Sequence, residues 1–275
     1  MNKAGQRFKR IILALVLAGA MAVPGWAARD RIIASYPTPT KYPSGLAFGG
    51  GVLYLAEFTT MRIYALNPDN GSVISSFIPS PKPRGTSMYG LAYSSGYLWA
   101  DTGDPTRLYK VVPTTGSVVG SYTVTGVSAG EGIAADANYV YVANNSATAF
   151  YIYKFSPTSG TVVKSWTGAK YPSGLNIITH VPTQKKVLMN LGNVDGWVCI
   201  FDLDGTRHEG EQFKIDAPCP ETHFTGDLAT RDNTHIFFAS GYLQQIYEHE
   251  IDWGGKPEEP GVAPASFGKI KALYR

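Results

Sequence analysis

Four residues that carry side-chain oxygens, Glu57, Asp101, Asn144 and Asn190, recur at nearly equal intervals, each near the end of a short apolar run. Together with Glu131 they could offer carboxylate and amide oxygens to a single centre. A hard cation such as calcium takes about six to eight oxygen ligands, so the set predicts a calcium site if the fold brings its members around one axis. The plainer use of such residues is to satisfy loop backbone groups at strand ends and to line a wet channel.

A second group lies in the stretch CPETHFTGD, Cys219 to Asp227. Glu221, His223 and Asp227 could converge there, with His223 as a general base near neutral pH and Glu221 beside it. No His-Glu-x-x-His or glycine-rich phosphate loop occurs in the chain to supply a metal pair or a phosphate cradle. Aromatic residues accompany both groups. Tyr42, Phe58, Tyr89, Tyr171 and Phe224 could stack on a sugar or a peptide, or serve only as packing. The remaining histidines, His180, His208, His235 and His249, fall at turns, strand starts, a hairpin and an outer strand, where structural or surface roles are expected.

The elements that must position these residues are repeats. The hexapeptide KYPSGL occurs at Lys41 to Leu46 and again at Lys170 to Leu175. Related starts read SGLAF at Ser44, YGLAY at Tyr89, EGIAA at Glu131, SGLNI at Ser173 and GDLAT at Gly226. After each start comes the same script of apolar strand, loop, strand, turn and strand. Alternating Val, Tyr, Leu and Ile bounded by Asn-Pro-Asp-Asn-Gly, Pro-Thr-Thr-Gly and Pro-Thr-Ser-Gly turns is strand and hairpin chemistry. Four short antiparallel strands per unit of about 43 residues is the blade of a β-propeller. The expected fold is therefore all-β, with five four-stranded blades. Six blades, at about 41 residues each, is the alternative. RIIASYPTP near the N-terminus resembles the fourth strands SVISSFIPSP and SVVGSYTVTG, so it is expected to complete the last blade and close the ring; the competing source of that strand is FGKIKALYR at the C-terminus. In such a blade the first strand starts and the second ends at one rim. Ser44, Tyr89, Glu131, Ser173 and Asp227 are then expected around one channel mouth, beside Glu57, Asp101, Asn144, Asn190 and Ser240. The expected ligand-binding set is Tyr42, Tyr89, Glu131, Tyr171, Phe224 and Asp227.

These repeats resemble the broad superfamily of exported propellers with NHL-type, gluconolactonase-like and quinoprotein-type repeats. LYLAEFTTMRIYALNPDNGSVISSF is similar to the quinoprotein repeat, whose terminal Trp is replaced here by Phe77 and Tyr122 and kept as Trp166. The SGLAF starts look more like NHL and gluconolactonase blades. GEGIAAD, Gly130 to Asp136, resembles both the Glu-Gly segment of calcium-dependent lactonases and the Glu-Gly strand of the five-bladed glutaminyl cyclotransferases. The Phe-Thr-Gln-Gly and Glu-Gly-Trp-Gly motifs of the latter are absent from the chain. The resemblance covers about residues 36 to 251 and implies the propeller fold; its lactonase branch implies calcium as a cofactor.

The first residues read as a leader rather than as part of the fold. Lys3, Arg7, Lys9 and Arg10 form a basic segment, Ile11 to Val23 an apolar one, and Gly25 and Ala27 suit cleavage after Ala27. The apolar run is too short to span a bilayer as a stable helix. The formal charge of the chain is +3; losing those four basic residues leaves residues 28–275 near −1, with no electrostatic footprint for nucleic acid or anionic lipid. Cys199 and Cys219 are the only thiols, and in an oxidising compartment they are expected either to form one disulfide or to remain two buried thiols. Residues 28–275 then read as one periplasmic or extracellular domain that binds a protein or small-molecule ligand, or acts as a scaffold. The alternative is a calcium-dependent hydrolase or lactonase at the channel mouth.

Overall fold

The computed structural model describes residues 29–103, 106–128, 130–146, 149–192, 196–209, 211–215, 227–241 and 243–253. The leader, Cys219, Glu221, His223, Phe224 and the C-terminal FGKIKALYR lie outside the described residues, and so does the second half of the expected disulfide. No helix among the described residues is long and apolar enough to cross a membrane.

The chain opens with β1 (Arg29–Pro37) and then lays down its blades in order. Blade one is β2 (Pro43–Gly49), β3 (Val52–Glu57), β4 (Ile63–Leu66) and β5 (Val73–Phe77). Blade two is β6 (Leu91–Ser94), β7 (Tyr97–Gly103), β8 (Thr106–Val111) and β9 (Val118–Thr123). Blade three is β10 (Gly130–Ala135), β11 (Val140–Ser146), β12 (Ala149–Ser156) and β13 (Thr161–Thr167). Blade four is β14 (Pro172–His180), β15 (Lys185–Gly192), β16 (Trp197–Asp202) and β17 (Phe213–Lys214). Blade five is β18 (Leu228–Thr230), β19 (His235–Ser240) and β20 (Gln245–Asp252), completed by β1. Each of the five sheets is four-stranded and antiparallel, so the fold is the five-bladed propeller, not the six-bladed alternative.

Composition along the strands explains the layering. Inner and middle strands carry apolar side chains on both faces and are buried on both, because each blade is sandwiched between two others. Fourth strands alternate or are mostly exposed, as in β9 and β13. The core is consequently divided into five apolar wedges, one between each pair of neighbouring blades. The wedge between blades five and one, for example, combines Tyr36, Phe237 and Ile246 with Leu46, Leu53 and Leu55.

The aromatic residue that ends most fourth strands has a defined seat. Phe77 of blade one lies against Gly116 in the β8–β9 turn of blade two, and Trp166 of blade three lies against Gly205 in the β16–β17 connection of blade four. A Cβ added at either glycine would come within 3.0 Å of the ring, so only glycine admits this packing. Tyr36 of β1 takes the same seat on Gly71 of blade one. Closure by the N-terminal strand therefore uses the same contact as the internal blade junctions. β1 pairs with β20 from Arg29↔Asp252 to Pro37↔Gln245, and the Tyr36 hydroxyl donates to the Pro68 carbonyl at 2.7 Å.

Candidate functional site

The innermost strands meet around the axis at the second residue of each repeat start. In four blades that residue is glycine: Gly45, Gly90, Gly132 and Gly174. Each lies close against the following blade: a Cβ would come within 2.8 Å of its backbone at Gly45, Gly90 and Gly132 and within 3.1 Å at Gly174, and at Gly132 it would sit 1.7 Å from the Ser173 carbonyl oxygen. Blade five writes Asp227 at this place, and its carboxylate occupies the space that the glycines leave. Oδ2 accepts the backbone N–H groups of Leu46 at 3.2 Å and Leu91 at 3.3 Å. Oδ1 accepts those of Leu175 at 3.2 Å and Leu228 at 2.9 Å. One buried side chain thus ties the inner strands of blades one, two, four and five. The sequence reading sets Asp227 at the mouth beside Ser44 and Ser173. It stands instead one residue later in the repeat register, on the axis, and serves the backbone.

Asp101 lies beside it, fully buried. Oδ1 accepts the N–H of Gly90, whereas Oδ2, packed over Gly130, has no partner among the described residues. Burial pushes the Asp101 carboxyl up to about 7, opposed by the Gly90 N–H and reinforced by the nearby Glu131 charge. Glu131 is also pushed up to about 7 by burial, against a hydrogen bond from Asn145. Asp227 is raised well above the ordinary carboxylate range, again by burial first, although its backbone donors pull the other way and the Asp101 charge adds to the rise. The axis therefore favours protonated or proton-sharing carboxyls near neutral pH.

The expected ring of second-strand ends forms in outline but not as one oxygen shell. Glu57 turns both oxygens onto its own loop, accepting from Thr59 N at 3.2 Å, Thr59 Oγ1 at 2.7 Å, Thr60 N at 2.5 Å and the Thr60 hydroxyl. Burial raises its carboxyl, but these bonds outweigh it and hold the pKa below the ordinary value. Asn190 accepts from Ala169 N at 2.6 Å and donates to the carbonyls of Gly174 and Leu191, both at 3.3 Å. Ser240 accepts from Leu243 N at 3.1 Å. Asn144 is buried opposite Gly130 in the β10–β11 ladder. Satisfying loop backbone groups is what these strand ends do, so the oxygens of Glu57 and Asn190 do not fit a calcium shell with those of Asp101.

Aromatic side chains gather at the rim where first strands start. Phe58 and Tyr89 meet edge to face with centroids 4.9 Å apart, and Phe150 and Tyr171 pack at 4.6 Å. Tyr42 is 58% exposed beside them, its carbonyl accepting from Phe58 N at 2.9 Å. Tyr171 is held at φ 50°, a left-handed conformation that is uncommon for a bulky residue and worth notice at a rim. The opposite rim, where the hairpins turn, carries a polar recess of about 370 Å³ lined by Ser94, Asp136, Thr179, Lys186, Thr230 and Asp232 among others. Sequence reasoning did not anticipate this recess, because no single motif marks hairpin residues drawn from four blades.

Cys199 lies buried on β16, opposite Asn190, and accepts from Arg207 Nη2 at 3.6 Å. His180 and His208 approach one another on blade four, with ring centroids 5.4 Å apart. Among the described residues, these two and Glu211 form the one group of three His, Cys, Asp or Glu side chains whose ligand atoms converge as a metal site requires. The sequence assigns them structural or surface roles, because His180 falls at a blade turn and His208 in a hairpin.

These features define a five-bladed β-propeller whose axis is closed by a carboxylate. No family model and no curated protein matches the chain. Among solved structures it is similar to the glutaminyl cyclase of Myxococcus xanthus, with a TM-score of 0.62, 14% identity and coverage of 81% of this chain and 96% of that one. It is also similar to the PQQ-bound aldose sugar dehydrogenase of Streptomyces coelicolor, with a TM-score of 0.54, 12% identity and coverage of 83% and 100%. At these identities the likeness is one of fold.

Proposed function

We propose that this protein is an exported ligand- or protein-binding module that engages its partner at the aromatic rim. The single observation that carries this reading is the pair of ring contacts, Phe58 with Tyr89 and Phe150 with Tyr171, drawn from blades one to four around the axis. Propeller rims built this way offer rigid, amphipathic surfaces at low side-chain entropy cost, suited to stacking on a sugar or a peptide. Glu131, at the start of blade three, stands near the axial Asp101. Screening a glycan and peptide array, then measuring affinity by calorimetry, tests the reading. Tyr171→Ala and Tyr42→Ala should weaken the best ligand by about tenfold each; a ligand whose affinity both variants leave unchanged would sink the rim assignment. Export is tested by N-terminal sequencing of the secreted product, expected to begin at Ala28.

The calcium-dependent hydrolase or lactonase reading survives in a narrower form. It rests on the partnerless Oδ2 of Asp101 close to Glu131, two acids whose pKa values of about 7 suit proton transfer near neutral pH. Asn144 could add an amide oxygen. A calcium titration followed by melting temperature discriminates between the readings. A site filled to about 100 times its Kd should add about 2.7 kcal/mol of stability, whereas an unchanged melting temperature removes this reading and leaves the binding module intact.

A further inference from the structure

Blade four carries a cluster that the rim and the axis do not use. His180 ends the inner strand β14, and His208 and Glu211 lie in the connection between β16 and β17. The fold brings these segments together at the hairpin end of the blade, where the main chain fixes His208 through its N–H to the Ile200 carbonyl at 2.9 Å.

Each imidazole is held by one ring nitrogen and presents the other. His180 Nδ1 lies 2.8 Å from Thr183 Oγ1, and its Nε2 faces Glu211 Oε2 at 3.3 Å. His208 Nε2 lies 2.9 Å from Asp202 Oδ1, and its Nδ1 faces the same Glu211 oxygen at 2.7 Å. A hydroxyl or carboxylate partner on the far nitrogen is the arrangement that fixes the tautomer and orientation of a metal-binding histidine. Trp253 packs edge-on against the His180 ring at 4.9 Å and donates Nε1–H to the Asn233 carbonyl at 2.7 Å, bracing that ring from blade five.

The three presented atoms lie within 4.8 Å of one another. Ligands held about 2.0–2.2 Å from a tetrahedral zinc are roughly 3.4 Å apart, so small side-chain adjustments suffice to close around an ion. Exposure falls from 36% at the Glu211 side chain to 15% at His208 and 1% at His180, which gives a solvent path on the Glu211 side and a dry wall behind.

We propose that His180, His208 and Glu211 bind a divalent transition metal of the zinc class, leaving a fourth position on the Glu211 side to water. Two imidazoles and one carboxylate favour such a metal over calcium or magnesium, which prefer oxygen ligands.

The test is a zinc titration of tag-free, chelator-stripped protein by calorimetry. One equivalent should bind, and calcium or magnesium in excess should not displace it. His208→Ala should weaken binding by at least about 100-fold, and Glu211→Gln, a partly exposed substitution that spares the fold, should weaken it at least tenfold. Asp202→Asn should cost about 10–100-fold through loss of orientation alone. Absence of binding at about 1 mM zinc would overturn the proposal. So would zinc that binds Glu211→Gln and His208→Ala as tightly as the parent, since the ion would then sit elsewhere.

Discussion

Asp227 Oδ2 accepts the backbone N–H of Leu46 at 3.2 Å across 181 residues of chain. Blade one and blade five are thus joined at the axis as well as at the outer edge. Asp227→Gly would restore the residue type of the other four blades, yet it should destabilise the ring. Four N–H groups, from Leu46, Leu91, Leu175 and Leu228, would lose their acceptor in a buried place. Each orphaned group costs about 1–3 kcal/mol, and a water entering the vacated space would offset part of this. A net loss of at least about 3 kcal/mol is expected in urea unfolding. A variant as stable as the parent would show that the carboxylate is not holding the blades.

The axial acids also set a pH dependence. Asp101 and Glu131 titrate at about 7 in the folded protein, against about 4 in an unfolded chain. A folded pKa above the unfolded one means that the native state binds protons more tightly. The contribution is fully present below about pH 4 and is lost as pH rises through 7. Asp227 acts in the same direction. Glu57 and Asp232, both lowered, oppose it only in acid, where their stabilisation is lost as pH falls through their folded values. The urea midpoint should therefore be higher at about pH 6 than at about pH 8.5. Asp101→Asn should flatten that slope while keeping the acceptor for the Gly90 N–H. An equal slope in the variant would remove Asp101 as its source.

Close approach at the axis can be tested separately from charge. An alanine methyl at Gly132 would lie 1.7 Å from the Ser173 carbonyl oxygen, a backbone atom with no room to give. Gly132→Ala should cost several kcal/mol, beyond the range of about 1–3 kcal/mol typical of overpacking, and lower the yield of folded protein. Gly51→Ala is the control for mutating a glycine: its Cβ meets nothing within 4 Å, and its φ of 77° should bring only modest backbone strain. If both variants unfold at the same urea concentration, the inner strands are looser than described.

The repeat made the blades legible. Glycine-bearing turns, alternating apolar strands and five related starts were sufficient to place the sheets, and RIIASY matched a fourth strand because its Tyr36 is the equivalent of Phe77 and Trp166. The site was less legible, for a physical reason. Ring position follows from repeat register, but whether a carboxylate faces a ligand or its own backbone depends on loop geometry that similar residues do not reveal. Glu57 and Asp101 occupy equivalent places; Thr59 and Thr60 follow Glu57 and capture it, whereas Asp101 turns back to Gly90 and leaves one oxygen unpartnered. The signal that could have found Asp227 was in the sequence already, as the one start that writes Asp in place of Gly. His180 and His208 gave no such signal, since only the turn between β16 and β17 brings them together.

Closure by β1 predicts the effect of removing it. The strand pairs with β20 from Arg29 to Pro37, Tyr36 is buried between blades five and one, and Asp30 meets the buried His249 Nδ1 at 2.8 Å. Deleting residues 28–37 would expose the backbone edge of β20, uncover Gly71 and leave His249 without its carboxylate. Lost ladder hydrogen bonds at about 1 kcal/mol each, together with the burial of Tyr36, amount to a large share of a typical total of about 5–15 kcal/mol. The truncated protein should melt far below the parent and aggregate through the freed edge. Adding a synthetic peptide of residues 28–40 in trans should restore part of the melting temperature, because its pairing surface on β20 remains. Truncated protein that melts like the parent would mean that another segment, such as FGKIKALYR, can take the place of β1. Removing residues 267–275 from the truncated form would then produce the loss instead.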